Sequence, residues 1–362
     1  MAKEQQCLIF WSTYLLLLFF YTPTKAQLFP AFFILGDSLV DNGNNNFIGS
    51  LAVADIPFNG IDFVDRLPTG RFCNGRTVAD LLAESIGLPP APPFLSPLTR
   101  GSAILKGVNF ASGAGGILDS TGANYINRIS FNKQLEFFRK NKQSLIQLIG
   151  DSAANSLLQK SLYFIVFGSN DYINNYLLSD SPTRKFTPSQ YQDLLVSTFR
   201  QQLTTLYNLG ARKVVISAVG PLGCIPSQIN QRSPSGACVQ FINNYVVNFN
   251  AAVKSLLNTL NQQLPGAVFN YGDSYNAVLT LINNPATYGF TSTNTGCCGV
   301  GRFNGQLGCT PISNICPNRK NYIFWDPFHP TEASNLIFAP ALFSGNTSAI
   351  SPFNIQQLAR LP

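Results

Sequence analysis

The acid–base chemistry open to this chain is limited by its histidine content. His329 is the only histidine among 362 residues, and it lies in the segment WDPFHP, residues 325–330. A neutral imidazole is the usual base for activating a nucleophilic hydroxyl. Asp326, three residues earlier, can reach the ring N–H within one turn, where it would fix the tautomer and stabilise the imidazolium. The segment predicts a base, His329, oriented by Asp326; the alternative is a histidine with a structural role.

A serine follows an apolar run near the start of the chain. Ser38 belongs to GDSLVDNGNNN, residues 36–46, directly after the run FFIL. A serine between a strand end and a helix start projects its hydroxyl into the crevice at the sheet edge, near backbone N–H groups. The alternative is a serine that only caps a helix. The sequence predicts Ser38 as the nucleophile that His329 deprotonates.

Two further polar segments also follow apolar runs. The amide of Asn170, in GSND at residues 168–171, could donate a hydrogen bond to a developing oxyanion, although Asn-Asp after a strand is also common in turns. The triplet GDS returns at residues 272–274, but no Asn/Gly run follows it. We therefore predict Asn170 as an oxyanion donor and do not expect Ser274 to be a nucleophile.

These segments need a scaffold that brings their ends together. Short apolar runs predict buried strands at residues 31–35, 162–167, 213–219 and 267–271. Between them, helical spacing recurs at residues 77–86, 189–209 and 239–264. Strands that alternate with helices predict an α/β fold with a parallel sheet covered on both faces. In such sheets the functional residues lie at the carboxyl ends of the strands.

The composition is that of a globular protein. Hydrophobic residues make up 45% of the chain and charged residues only 11%, which excludes a disordered chain and allows a large core. The formal net charge is +7, but the basic residues are scattered, so we do not expect nucleic-acid binding. No repeat or linker divides the chain, and we predict one domain over residues 27–362.

The N-terminus has the three-part layout of a secretory signal peptide. Lys3 precedes an apolar run over residues 8–21, and a small-residue pattern ends at Ala26. A run of about fourteen apolar residues is too short to span a bilayer, which needs about twenty. We therefore expect removal of residues 1–26 and secretion, without a stable membrane anchor.

The cysteines fit an oxidising compartment. Cys7 lies in the predicted signal peptide, and seven cysteines remain. Isolated Cys73 is predicted to be a free thiol, and the other six to form three disulfides whose pairing the sequence leaves open. Zinc is the alternative at residues 297–316, but the spacing there is not that of paired C-x-x-C knuckles. The sequon at Asn346 is a predicted glycosylation site.

The chain resembles the GDSL (SGNH) hydrolase family, specifically its secreted plant esterase/lipase branch, over essentially the whole mature chain. Four blocks carry the resemblance in the family's order. They are FILGDSLVDNGNN at 33–45, VNFASG at 108–113, GSND at 168–171 and FWDPFHPT at 324–331. Two other stretches, PTGRFCNGR at 68–76 and GPLGC at 220–224, are also similar to the plant branch.

The resemblance implies a three-layer α/β/α fold with a flavodoxin-like, mostly parallel central sheet. It implies that Ser38 attacks an ester carbonyl, that His329 takes the serine proton and that Asp326 supports the histidine. It also implies three oxyanion donors, which are the backbone N–H groups of Ser38 and Gly113 and the side-chain amide of Asn170. Gly113 rests on the resemblance alone. This chemistry uses no cofactor and no metal.

The expected function is that of a secreted serine esterase or lipase, which hydrolyses acyl esters of small molecules, lipids or cell-wall polymers through an acyl-enzyme. By resemblance, its location is the plant apoplast or cell wall. Two other reactions of the family, deacetylation of cell-wall polysaccharide and cutin-type acyl transfer, stay open. A non-enzymatic alternative is a catalytically silent cell-wall interaction protein that keeps the fold.

Overall fold

The structure, a computed structural model, describes residues 26–362, so the predicted signal peptide lies outside the described residues except for Ala26. The strands are β1 Phe32–Gly36, β2 Leu162–Val166, β3 Lys213–Ser217, β4 Val268–Gly272, β5 Ser292–Gly296, β6 Cys298–Gly299, β7 Asn314–Ile315, β8 Tyr322–Phe324 and β9 Ile350–Ser351. The α-helices are α1 Val78–Ser85, α2 Phe131–Ile149, α3 Asp151–Lys160, α4 Pro188–Asn208, α5 Pro226–Arg232, α6 Gln240–Gln263, α7 Ser274–Asn283, α8 Glu332–Ser344 and α9 Ile355–Leu358. Short helical turns cover Asn44–Phe47, Gly101–Lys106, Ala123–Tyr125, Ser169–Asp171, Tyr172–Tyr176, Pro182–Lys185, Leu222–Cys224, Pro285–Tyr288, Arg302–Asn304 and Arg319–Asn321.

The central sheet has the strand order β1-β2-β3-β4-β9, in which β1 to β4 are parallel and β9 is antiparallel. On the other side of β1, Asn109 forms a parallel bridge with Ile34. This segment comes second along the chain, so the parallel part of the sheet has the 2-1-3-4-5 order of flavodoxin-like folds. The predicted mostly parallel, flavodoxin-like sheet is confirmed. Its topological switch point, where ligands bind in such folds, is at the carboxyl end of β1.

Apolar side chains cover both faces of the sheet. Every residue of β1, β2 and β3 is buried, as expected for parallel strands between two helical layers. One face packs against α2, α4 and α6, through side chains such as Phe138, Leu203 and Leu257. The other face packs against α1 and α8, through Leu82 and Leu342. The predicted three-layer α/β/α arrangement is therefore present.

The predicted strands and helices agree with β1 to β4 and with α1, α4 and α6 to within two residues. Helices α1 and α4 are preceded by the N-cap residues Thr77 and Thr187, whose side chains form capping boxes with the first turn. The sequence did not predict α2, α3, α5, α7, α8 or α9. Helix α8 contains Pro340, and its apolar residues do not fall on one face, so no periodic pattern marks it.

Three disulfides lie in the second half of the chain. They join Cys224 to Cys238, Cys297 to Cys316 and Cys298 to Cys309. Cys73 is the free cysteine of the described residues, and it is buried. The predicted three disulfides and free Cys73 are confirmed, and the pairing is now defined. No helix within residues 26–362 is long and apolar enough to cross a membrane.

Candidate active site

Ser38 lies two residues beyond β1, at the carboxyl edge of the central sheet. Its Oγ lies 2.7 Å from Nε2 of His329, a residue 291 positions further along the chain. This is the distance of a hydrogen bond. The fold therefore brings the predicted nucleophile and the predicted base into direct contact at the topological switch point.

Asp326 holds the other side of the imidazole. Nδ1 of His329 lies 2.8 Å from each carboxylate oxygen of Asp326. With the ring proton on Nδ1, Nε2 is unprotonated and accepts the hydroxyl proton of Ser38. Oδ1 of Asp326 also accepts the backbone N–H groups of Phe328 and His329, each at 2.8 Å. Asp326 and His329 are only 5% and 6% exposed, so little water competes for these bonds.

The loop that carries the aspartate and the histidine, residues 324–331, is fixed at both ends. The backbone N–H of Trp325 donates to the carbonyl of His329 at 2.7 Å, which closes the loop on itself. The buried indole of Trp325 donates to Oδ1 of Asn59 at 2.9 Å. Thr331 caps the first turn of α8. Strand β8 before the loop and helix α8 after it thus set the position of the imidazole.

The turn that presents Ser38 is held by Gln134, a residue that the sequence did not single out. Gln134 accepts the N–H of Gly36 at 2.9 Å and donates to the carbonyl of Gly36 at 2.7 Å. A Cβ on Gly36 would lie 2.6 Å from the side chain of Val40 and 2.9 Å from the carbonyl oxygen of Val166. Position 36 therefore accommodates only glycine. Gln134 is 98 residues away, so no local pattern marks it.

Two of the three predicted oxyanion donors have an N–H group without an acceptor among the described residues. The backbone N–H of Ser38 has no acceptor within the described part of the chain. The side chain of Asn170 donates one amide hydrogen to the carbonyl of Gly115 at 2.9 Å and accepts from Asn174 at 2.6 Å. The second amide hydrogen of Asn170 has no acceptor among the described residues. Both groups can donate to an oxygen that gains negative charge beside the nucleophile.

The N–H of Gly113, the third predicted donor, already has a partner. It donates to Oδ2 of the buried Asp41 at 3.0 Å. Oδ1 of Asp41 accepts the N–H groups of Gly43 and Asn44, each at 2.8 Å. The resemblance did not predict this bond, and an oxyanion role for Gly113 requires the N–H to be shared between Asp41 and a substrate oxygen.

A second buried carboxylate holds the other end of the glycine-rich loop, residues 112–122. Asp171 accepts the N–H of Ile117 at 2.9 Å, the N–H of Leu118 at 3.0 Å and the hydroxyl of Thr121 at 2.6 Å. Burial raises the pKa of Asp171 to about 6, and its three donors stabilise the ionised form. Sequence reasoning missed this positioning role, although the position of Asp171 directly after Asn170 is a signal that could have suggested it.

A cavity of about 500 Å³ opens beside Ser38, with Asn170 and His329 also in its wall. Apolar side chains line much of the remainder, including Phe164, Val166, Ile173, Phe338 and Leu342. A cavity of this size is typical of small-molecule sites. Its apolar lining suits a hydrocarbon group attached to the bond that Ser38 would attack.

Comparison with known proteins shows the family of the chain. The family model described as GDSL-like Lipase/Acylhydrolase matches residues 32–342. The chain belongs to this GDSL family. It is 48% identical to GDSL esterase/lipase At1g71250 of Arabidopsis thaliana, over 92% of this chain and 89% of that protein. It is 46% identical to GDSL esterase/lipase 7 of the same plant, over 92% of each chain. Among solved structures, a mutant of Axe2, an acetyl-xylooligosaccharide esterase from Geobacillus, is similar at a TM-score of 0.38 and 15% identity, over 86% of this chain and 91% of that chain.

Family membership defines the class of reaction, and this GDSL protein is a carboxylic ester hydrolase.

The serine of the second GDS triplet, Ser274, has no imidazole beside its hydroxyl. The hydroxyl of Ser274 lies 2.6 Å from the hydroxyl of Ser217, whereas the single imidazole bonds to Ser38. The geometry thus distinguishes the two GDS serines, as the sequence reading expected.

Asp37, next to Ser38 in this GDSL hydrolase, is buried in surroundings that destabilise its ionised form. Its Oδ1 accepts the N–H of Leu39 at 3.0 Å, but its buried Oδ2 has no hydrogen-bond partner among the described residues. Burial raises the pKa of Asp37 from 3.8 to about 7. The folded protein retains a proton that the unfolded chain releases above pH 3.8. The free energy of unfolding therefore falls as the pH rises towards about 7.

Asp37→Asn is expected to raise the free energy of unfolding at about pH 8 by about 1 to 3 kcal/mol. The amide removes the cost of a buried charge, although its unpaired N–H reduces the gain. Thermal unfolding at about pH 5 and about pH 8 measures the effect, which is expected to be larger at the higher pH. Asp193→Asn, at an exposed position, is the matched control. A gain of the same size at both pH values would contradict ionisation of Asp37 as its cause.

Proposed function

We propose that this GDSL hydrolase is a secreted serine esterase or lipase that cleaves acyl esters through an acyl-enzyme on Ser38. His329 is the general base and acid, and Asp326 orients it. The observation that carries the proposal is the unbroken chain of contacts from Ser38 Oγ to His329 Nε2 at 2.7 Å and from His329 Nδ1 to Asp326 at 2.8 Å. A hydroxyl is nucleophilic enough only when such a base removes its proton.

The first half of the reaction forms the acyl-enzyme. Nε2 of His329 takes the hydroxyl proton as Ser38 Oγ bonds to the ester carbonyl carbon, and the carbonyl oxygen becomes an oxyanion. The N–H of Ser38 and the free amide hydrogen of Asn170 donate to that oxyanion, and the N–H of Gly113 contributes if Asp41 shares it. The imidazolium then protonates the leaving alcohol as the ester C–O bond breaks. Water then attacks the carbonyl carbon of the acyl-enzyme while His329 takes its proton. The imidazolium returns that proton to Ser38 Oγ as the carboxylic acid leaves.

The cavity favours an ester with an apolar acyl group. Burial of each methylene against the apolar wall contributes about 0.8 kcal/mol of binding energy. The acyl-enzyme steps use only protons, the serine and the donors named above, so the proposed chemistry calls for no cofactor. The substrates we propose are therefore small-molecule, lipid or cell-wall esters whose acyl chain enters the cavity beside Ser38.

Secretion is proposed together with the reaction. Disulfides persist in oxidising compartments, so the three disulfides among the described residues support export. The exported protein would be one domain over residues 27–362, after removal of residues 1–26. Asn346 is exposed, and its Oδ1 accepts the N–H of Ser348 at 3.1 Å. The accessible sequon supports glycosylation at Asn346 in the exported protein.

A fluorophosphonate probe tests the proposed nucleophile. The probe is expected to label the folded mature protein once, at Ser38, because only this hydroxyl is bonded to an imidazole. Ser38→Ala is expected to abolish labelling, whereas Ser255→Ala, at an exposed position of α6, is expected to leave it unchanged. Peptide mass spectrometry locates the adduct. Folded protein that resists the probe, or Ser38→Ala that still reacts, would rule out this mechanism.

A further inference from the structure

Two serine hydroxyls form a polar pair in the wall of the active-site cavity, away from the nucleophile. Ser217 is the last residue of β3 and Ser274 is the first residue of α7. Their hydroxyl oxygens lie 2.6 Å apart, and both residues line the same cavity as Ser38. Ser217 is only 9% exposed. The second GDS triplet, which has no catalytic base, therefore still contributes to the site.

The surroundings of the pair are apolar. Val278 and Leu342 also line the cavity. Leu342 packs so closely that its Cδ2 lies 2.6 Å from where a Cβ on Gly272 would be. An apolar chain that runs past Val278 and Leu342 thus meets a polar feature in the hydroxyls of Ser217 and Ser274.

The pair has hydrogen-bonding capacity to spare. The Ser217 hydroxyl lies within 3.3 Å of the carbonyl of Ala218 as well as near Ser274. If Ser274 donates to Ser217 and Ser217 donates to Ala218, then Ser274 keeps lone pairs free to accept. If Ser217 donates to Ser274, then the Ser274 hydrogen is free to donate. A group that can both donate and accept, such as an alcohol hydroxyl, fits either arrangement.

The order of the strands sets the distance from the nucleophile. Ser38 follows β1, Ser217 ends β3 and Ser274 follows β4, all at the carboxyl edge of one sheet. Neighbouring strands are about 4.8 Å apart, so the pair lies about 10 to 14 Å from Ser38 along that edge. An extended alkyl chain advances about 1.25 Å per carbon, which corresponds to about 8 to 11 carbons.

We propose that the Ser217–Ser274 pair is a subsite for a hydroxyl group on the acyl chain, about ten carbons from the ester carbonyl. The preferred substrate class is thus an ester of a medium-length hydroxylated fatty acid, with the hydroxyl near the end of the chain. The inference rests on the proposed acyl-ester hydrolysis at Ser38. It adds a specificity determinant that lies two to three strands away from Ser38.

Paired esters test the subsite. The readout is the ratio of kcat/KM for p-nitrophenyl 10-hydroxydecanoate to kcat/KM for p-nitrophenyl decanoate. The mature protein is expected to prefer the hydroxylated ester by about 3- to 10-fold, the usual range for one hydrogen bond. Ser274→Ala and Ser217→Ala are expected to bring the ratio to about 1, and Ser274→Thr, which keeps the hydroxyl, is expected to retain the preference. Thermal unfolding checks that each variant folds.

The control variant and the other possible results distinguish failure of the Ser217–Ser274 subsite from failure of the proposed ester hydrolysis at Ser38. Ser255→Ala is expected to keep the wild-type ratio. A wild-type ratio of 1 or less, or alanine variants that keep the preference, overturns the subsite. Turnover of p-nitrophenyl acetate without turnover of either decanoate also overturns it but leaves the hydrolase proposal in place. If no ester is turned over and the fluorophosphonate probe does not react, the hydrolase proposal itself fails.

Discussion

Replacement of His329 by alanine is expected to lower kcat/KM by about 10³- to 10⁶-fold while the protein still folds. No second imidazole exists in the chain, so nothing else can take the proton of Ser38 with comparable effect. The kinetics of p-nitrophenyl butyrate hydrolysis measure the loss. Circular dichroism and thermal unfolding show whether the fold is kept.

The control for this variant removes an aromatic ring that does not line the cavity beside Ser38. Tyr288→Ala, at a position that is 39% exposed, is expected to keep kcat/KM near that of the natural chain. Near-normal turnover by His329→Ala would exclude His329 as the base. A loss that is matched by unfolding of the variant would point to support of the loop at residues 324–331 instead.

Asn170→Ala is expected to lower kcat by about 10²- to 10³-fold with little change in KM. The free amide hydrogen of Asn170 forms its strongest hydrogen bond only when the carbonyl oxygen becomes an oxyanion. Its removal therefore destabilises the transition state and has little effect on substrate binding. Steady-state kinetics on a single ester separate kcat from KM.

The matched control is Asn284→Ala, at an exposed position, which is expected to change neither constant. The bond from Asn170 to the carbonyl of Gly115 gives the residue a structural role as well, and thermal unfolding measures that part. A rise in KM with unchanged kcat would show that Asn170 only binds substrate, contrary to the oxyanion role.

The residues of the triad could be proposed from the sequence because their types are rare or their positions are marked. His329 is the only histidine, Asp326 is close to it, and Ser38 follows an apolar run that predicts a buried strand. The strands themselves are visible for the same reason, since parallel strands buried on both faces leave continuous apolar runs.

The supporting contacts could not be predicted because they join distant parts of the chain. Gln134 binds Gly36 across 98 residues, and Gly113 binds Asp41 across 72 residues. Neither contact leaves a local pattern. The segment around Asn109 completes the sheet with a single bridge, which is too short for a period of two to be recognised. The disulfide partners likewise depend on which loops the fold brings together.

The 291 residues that separate Ser38 from His329 also affect how the protein is made. A ribosome synthesises Ser38 early and His329 late, so a growing polypeptide carries the proposed nucleophile for most of translation without the proposed base. Under the proposed mechanism, ester hydrolysis begins only after His329 has emerged and the chain has folded. The chemistry proposed for Ser38 is therefore a property of the finished, folded chain, because its first part has no imidazole.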